Sequence, residues 1–385
     1  MVSALFIDSG LADSSGVAAA YNHLDNKQMS KDGFVKSPTS ALRCIPRHCD
    51  VLYVRLIPRN LRALNLELFT FPSKSDFLRD RQTYNNSFFL ISKEDLSMSP
   101  NLESIASKVK VIGKRNPVYA EIAQWVGDLL SETVQAAGKF RLPELNLDQA
   151  PSLEARSQGR SFLDPEGLSL DWEQAGALYK HLVDLLKTRE NGLKQAEGLL
   201  QALDKDQNDI PKLMKAVLAS DFEAIETAAR EFKIDPPVLT LILRLALRPA
   251  MLNVSQAVLE RLDLNQWTYG HCPVCGSAPK LADFSGEGGM RTLHCSLCET
   301  AWPYTRLRCP FCENDNMEDL SYLRAESEEG LRVDLCSRCG HYLKTIDLRE
   351  LPGPIIVPLD DVATWHLDII AQENLENREF DNGQG

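Results

Sequence analysis

The sequence predicts a mainly α N-terminal domain followed by two tandem small β modules, each organised by four cysteines. Three observations carry this reading. Apolar residues recur with a 3.6-residue period from about Asn116 to residue 265. At Trp267 that pattern gives way to glycine, cysteine and short strand-like runs. Eight of the ten cysteines then fall between Cys272 and Cys339, every one in a C-x2-C pair.

The chain has 385 residues, 44% hydrophobic and 25% charged, a globular composition long enough for two or three folding units. Its formal net charge is -12, from 42 basic and 54 acidic residues. That balance argues against non-specific nucleic-acid binding, which needs clustered Lys and Arg. No run of 18 apolar residues exists, so no membrane span is expected. The first residues lack a basic stretch and meet Asp8 too early for a secretory signal. A reducing setting is expected, where paired cysteines read as metal ligands before disulfides.

Residues 1–95 differ from the rest. They hold 12 basic and 10 acidic residues, and the first fifty contain no Glu. They read as an extension of uncertain order outside the main fold, or as sequence upstream of the true start. Cys44 and Cys49 lie there without a matching pair and are left out of the metal assignment.

The all-helical domain is expected over 96–267. Asn116-Pro117 makes a helix start, with Val118, Ile122, Trp125, Val126, Leu129 and Leu130 on one face. Asp171 caps a helix with the stripe Trp172, Ala175, Leu178, Leu182, Leu185 and Leu186. Gln195–Leu203 offers a short apolar turn, and Pro211 opens a further helix. Ser220 and Glu223 have capping-box spacing for the next. The run VLTLILRLALRPA after Asp235 is apolar all round except for Arg244 and Arg248, as a buried central helix would be. Residues 252–263 read as a separate amphipathic helix. After the cysteine region, 351–378 reads as an extended segment and one last helix carrying Val362, Trp365, Ile369 and Ile370.

The four pairs are Cys272/Cys275, Cys295/Cys298, Cys309/Cys312 and Cys336/Cys339, separated by 19, 10 and 23 residues. A C-x2-C turn presents two thiolates to one ion, and two such knuckles complete a tetrahedral four-sulfur site. Local folding favours pairing the first two knuckles (module 268–305) and the last two (module 306–350). KLADF and MRTLH, then SYLRA and LRVDL, form the intervening hairpins. A cross-braced pairing, first with third and second with fourth, is the alternative. Two zinc-ribbon or rubredoxin-like modules result, holding two metal ions, iron or zinc. His271, His294 and His341 adjoin cysteines, but four thiolates per ion leave them as neighbours of the sites. No catalytic motif appears, and closed four-sulfur sites offer no open position, so the chain reads as a binding protein and not an enzyme. The oligomeric state leaves no mark in the sequence.

The words HCPVCGSAP, LHCSLCETAW, RCPFCEN and CSRCGHYLKTID, in this order, resemble the C-terminal half of the FdhE family, the formate dehydrogenase accessory proteins. The resemblance implies a cytoplasmic metal-binding chaperone that binds the immature catalytic subunit of formate dehydrogenase during its assembly. It implies rubredoxin-like iron held by the eight cysteines. The alternative is a rubredoxin-like electron-transfer protein.

Overall fold

The computed structural model describes residues 66–70 and 100–382, except 142–144, 146–150, 165–167, 188–196, 201–208, 263 and 326–327. Cys44, Cys49 and most of the first 95 residues therefore lie outside the described residues. The exception is strand β1 (Leu66–Thr70), whose backbone pairs antiparallel with a strand of the second ribbon.

The helical part contains α1 (Leu102–Arg115), α2 (Ala120–Ala136), the short α3 (Leu153–Ser157), α4 (Trp172–Lys187), α5 (Asp209–Leu218), α6 (Phe222–Phe232) and α7 (Pro236–Leu259). Three elements differ from the sequence reading. Helix α1 precedes the expected onset at Asn116. Its buried stripe is only Ile105, Val109 and Ile112, with lysines between, so the period is faint, although Asn101 caps it through Oδ1 at 2.8 Å from Ser104 N. The cap of α6 is Asp221, which accepts from Ala224 N at 3.1 Å. Ser220 instead closes α5 in a left-handed conformation (φ 55°). The two helices expected on either side of Pro249 are one 24-residue helix, α7. Pro249 removes one ladder hydrogen bond, but packing on all sides of α7 keeps the helix continuous through the sequence break.

Helix α7 is long and apolar enough, by length and composition, to cross a bilayer, yet 67% of its most apolar window is buried within the protein. Leu239, Ile242, Leu243, Ala246, Met251 and Val254 are all fully covered. A helix apolar on every side is the expected centre of a helical domain. Asp171 caps α4 as the sequence predicts, accepting from Gln174 N, whereas Asn116, accepting from Val118 N, caps a 3-10 turn over Pro117–Tyr119 that leads into α2. Of Gln195–Leu203, residues 197–200 are helical and the rest lies outside the described residues.

Among the described residues the strands form one seven-stranded sheet in the order β1-β5-β6-β7-β2-β3-β4. The first ribbon supplies β2 (Pro279–Ser285), β3 (Met290–Cys295) and β4 (Ala301–Pro303). The second supplies β5 (Leu320–Ala325), β6 (Leu331–Cys336) and β7 (His341–Asp347). Pairing within each ribbon is antiparallel, as the two predicted hairpins require. The ribbons are joined edge to edge by a parallel pair, β2 with β7, running from Leu281↔Lys344 to Phe284↔Asp347.

Two helices close the chain. The segment expected to be extended turns helical at α8 (Val357–Ala363), with Pro358 in its first turn, and α9 (Trp365–Asn382) follows. Leu367, Ile370 and Ala371 of α9 pack on Leu323, Leu331, Val333, Leu335 and Ile346 of the second ribbon. Buried charges fasten the two closing helices to β7 and to α1. Lys344 Nζ lies 2.6 Å from Asp361 Oδ1 and 2.8 Å from Asp368 Oδ2, and Lys108 of α1 reaches Asp360 at 2.7 Å. Lys344 is 2% exposed, so its partners are obligatory: an unpaired ammonium there would cost several kcal/mol.

Candidate metal centres

The structure groups the eight cysteines as two tetrads, Cys272/Cys275/Cys295/Cys298 and Cys309/Cys312/Cys336/Cys339. Within each, the four Sγ atoms lie within 4.8 Å of one another. The pairing is sequential, and the cross-braced alternative is excluded. Close approaches are 3.6 Å (Cys272–Cys298), 3.4 Å (Cys275–Cys295) and 3.7 Å (Cys309–Cys339 and Cys312–Cys336). A regular tetrahedron with metal–sulfur bonds of about 2.3 Å has edges of about 3.8 Å. The donor set therefore fits one soft tetrahedral cation per tetrad, zinc or iron. None of His271, His294 and His341 enters a tetrad. His271 Nε2 meets Gly159 O (2.8 Å), His294 Nε2 meets Asp283 Oδ2 (2.6 Å), and His341 stacks on Phe311 at 4.9 Å.

All four knuckles share one backbone device. The residue after each second cysteine is left-handed: Gly276 (φ 77°), Glu299 (55°), Glu313 (60°) and Gly340 (67°). This turn lets Gly276, Glu313 and Gly340 each donate N–H to the carbonyl of its knuckle's first cysteine at 2.9 Å. In the second knuckle Leu297 N and Cys298 N also point at Cys295 Sγ, at 3.3 and 3.4 Å. Such donors stabilise a thiolate and lower the charge a metal must neutralise.

The glutamates at two of these positions are explained by their partners. Glu299 meets Arg248 of α7 in a two-point contact, Nε–Oε1 at 2.6 Å and Nη2–Oε2 at 2.9 Å. Arg248 also donates to Thr133 of α2 and is 3% exposed. One of the two arginines that interrupt the apolar run of α7 thus pins the first ribbon to the helical domain. Glu313 pairs with Arg308 of its own knuckle at 3.0 Å, with both side chains about one-third exposed. The knuckle pattern singles out the glutamates but not their partners, because no spacing or charge context ties either arginine to them.

The first knuckle is also strapped. Phe162 N and Leu163 N donate to Pro273 O and Val274 O (both 2.8 Å), and Ser161 Oγ donates to Cys272 O (3.0 Å). Between the ribbons, Gly270 lies against Pro310 so closely that an added Cβ would fall 2.0 Å from Pro310 O. Gly270→Ala is expected to destabilise by about 1–3 kcal/mol or more, because backbone must move against backbone. Thermal unfolding of the metal-loaded variant measures it.

As free thiols, the tetrads hold protons. Burial pushes Cys272 and Cys298 well above the ordinary thiol value, while hydrogen bonds from three neighbouring thiols pull Cys275 well below it. In the second tetrad the contact with Cys336 pushes Cys309 up to about 12, and the contacts with Cys309 and Cys339 hold Cys336 down. A cation must displace the protons of the raised thiols, so affinity rises with pH. If two protons leave per ion, the apparent affinity falls about a hundredfold for each pH unit of acidification near neutrality. Competition with a chromophoric chelator at several pH values reads this slope.

A helical domain joined to a sheet with two complete four-thiol tetrads defines a protein of the tandem four-cysteine ribbon class. The chain matches the FdhE family. The family model described as the FdhE central domain matches residues 271–306, the first ribbon. A Protein FdhE homolog from Aquifex aeolicus (strain VF5) is 34% identical over 130 residues, 33% of this chain and 45% of that protein. Protein FdhE from Salmonella paratyphi A (strain ATCC 9150 / SARB42) is 30% identical over 221 residues, 56% of this chain and 66% of that protein. The aligned part thus spans under half of the first relative and just under two thirds of the second. The crystal structure of the FdhE protein from Pseudomonas aeruginosa shares the fold, with a TM-score of 0.53 at 24% identity, covering 72% of this chain and 93% of that one.

Proposed function

We propose that this chain is a cytoplasmic, metal-bearing accessory protein that binds the immature catalytic subunit of formate dehydrogenase and is required for its assembly or activation. The observation that carries this is the pair of complete thiol tetrads set into one sheet, in a chain that matches FdhE proteins. In this reading Cys272, Cys275, Cys295 and Cys298 hold one ion, and Cys309, Cys312, Cys336 and Cys339 the other. Four thiolates fill a tetrahedral coordination sphere, so neither ion has a place for substrate, and the protein is an accessory factor and not an enzyme. The ions would clamp ribbons whose strands also pack on the helices.

The test is capture of the tagged full chain from cells of its native host, with metal analysis of the recovered complex. Formate dehydrogenase catalytic subunit and close to two iron or zinc ions per chain are expected. A Cys309→Ser chain with unchanged metal content and unchanged capture would sink the reading.

The partial exposure of Cys312 and Cys339 favours a second reading, a rubredoxin-like iron protein that passes electrons. It requires a coloured centre that is reversibly reduced. A colourless zinc form that supports formate dehydrogenase assembly in full excludes it.

A further inference from the structure

The two tetrads sit in unlike surroundings. All four cysteines of the first are 0–3% exposed and belong to the same hydrophobic core as α2, α4 and α7. Both of its knuckles are covered by the helical domain. Residues 161–163 strap the first, and Arg248 grips Glu299 at the second. The second tetrad forms a small satellite cluster with Leu320 and Phe311. Cys309 and Cys336 are buried there, but Cys312 and Cys339 are part-exposed, one on each knuckle. Beside Cys339, Ser337 and Arg338 are exposed. Arg338 Nη1 donates to Asn314 Oδ1 at 3.1 Å, and the ring of His341 stacks on Phe311.

From this contrast we infer that the two centres differ in kind: the first is a permanent staple, and the second is an exchangeable site for a soft divalent cation, reached through Cys312 and Cys339. The inference rests on the reading of the eight cysteines as metal ligands.

The physical argument concerns access. Ligand exchange at a four-sulfur centre needs an incoming donor to reach the ion as one cysteine leaves. At the first tetrad every sulfur is walled in by packed side chains, and any approach requires the shared core to open. Openings of that kind cost nearly the global stability. At the second tetrad one cysteine of each knuckle is part-exposed, so an incoming thiolate can approach and replace Cys312 or Cys339 while Cys309 and Cys336 stay buried. The step balances as a substitution: one metal–sulfur bond forms as another breaks, and the proton lost by the incoming thiol passes to the departing cysteine. Exposed Arg338 next to Cys339 brings positive charge to that knuckle, while Glu313 next to Cys312 is paired with Arg308, a balance that accepts an anionic donor. Partner chemistry follows as a thiol carrier or a cysteine-bearing protein surface.

The experiment uses the full chain loaded with cadmium at both sites. Excess EDTA is added, the bound cadmium is followed in time, and aliquots are alkylated with iodoacetamide and mapped by mass spectrometry. Two phases are expected, the faster at least about tenfold quicker and accounting for one ion. Alkylation during the fast phase is expected at the second tetrad, Cys312 and Cys339 foremost, with the first tetrad unlabelled. Loss of both ions in a single phase, or early labelling of Cys272 to Cys298, would overturn the inference while leaving the metal reading intact. Failure of the chain to hold cadmium at all removes both. Because the kinetics use the unaltered sequence, no variant has to fold for the result to count.

Discussion

Replacing Glu299 by glycine is expected to lower stability by about 2–3 kcal/mol, although the change removes backbone strain. A left-handed non-glycine residue costs about 1–2 kcal/mol, which glycine would recover. Against this, the substitution leaves Arg248 buried without its carboxylate, and breaking a buried pair costs about 3–5 kcal/mol. The second term wins. At Glu313 the same change has the opposite balance. Its pair with Arg308 is about one-third exposed on both sides (33% and 27%), worth about 0–1 kcal/mol, so Glu313→Gly is expected to be neutral or stabilising. Urea unfolding of both metal-loaded variants gives the comparison directly. The double variant Arg248→Met with Glu299→Gly should recover much of the loss, since an apolar pair removes the unpaired charge. Equal effects at Glu299 and Glu313 would show that the contact with α7 contributes nothing.

The larger effect is expected from Cys298→Ser. A structural four-thiolate site contributes roughly 10–16 kcal/mol of apparent binding free energy, as much as or more than a domain's whole stability of about 5–15 kcal/mol. The first tetrad shares its core with the helices, so losing its ion should not stay local. Trp302 is fully buried and donates to Tyr269 O at 3.2 Å, while Trp267 donates to His271 O at 2.8 Å. Both tryptophans flank the first ribbon. A red-shifted tryptophan emission, loss of at least one ion and loss of cooperative unfolding are expected together. Native emission with full metal content would refute the structural role assigned to this site.

Much of this architecture is legible in the sequence, and the parts that are not share a cause. The tetrad pairing can be read because ribbons are local. Each C-x2-C turn and each hairpin is specified by residues close in the chain. Helices α2 and α4 are legible for the same reason, through Asn116, Asp171 and their apolar stripes. The continuity of α7 is not, because Pro249 is a local stop signal that tertiary packing overrides. Helix α1 escapes notice because three buried residues among lysines make a weak period. The sharing of one sheet by two ribbons is invisible: a parallel β2–β7 pair is a contact between strands about sixty residues apart, and no local pattern announces it. The same holds for Arg248 with Glu299, for Lys344 with Asp361 and Asp368, and for the strand at Leu66–Thr70, which adds to β5 from far upstream.

The place of β7 in the sheet has a further consequence, for the order of events during synthesis. Strand β7 is the last strand to leave the ribosome, yet it lies between β6 and β2, near the middle of the sheet. Until Asp347 has emerged, the first ribbon carries β2 as an open edge, a surface that other chains can template upon. The first ribbon's cysteines are all available by Cys298, some fifty residues earlier. Ribbon one can therefore bring its four thiols together while the chain is still growing, but its β2 edge is covered only at the end. A chain halted between the two events would present a half-sheet with β2 as an unpaired edge, open to pairing with other strands.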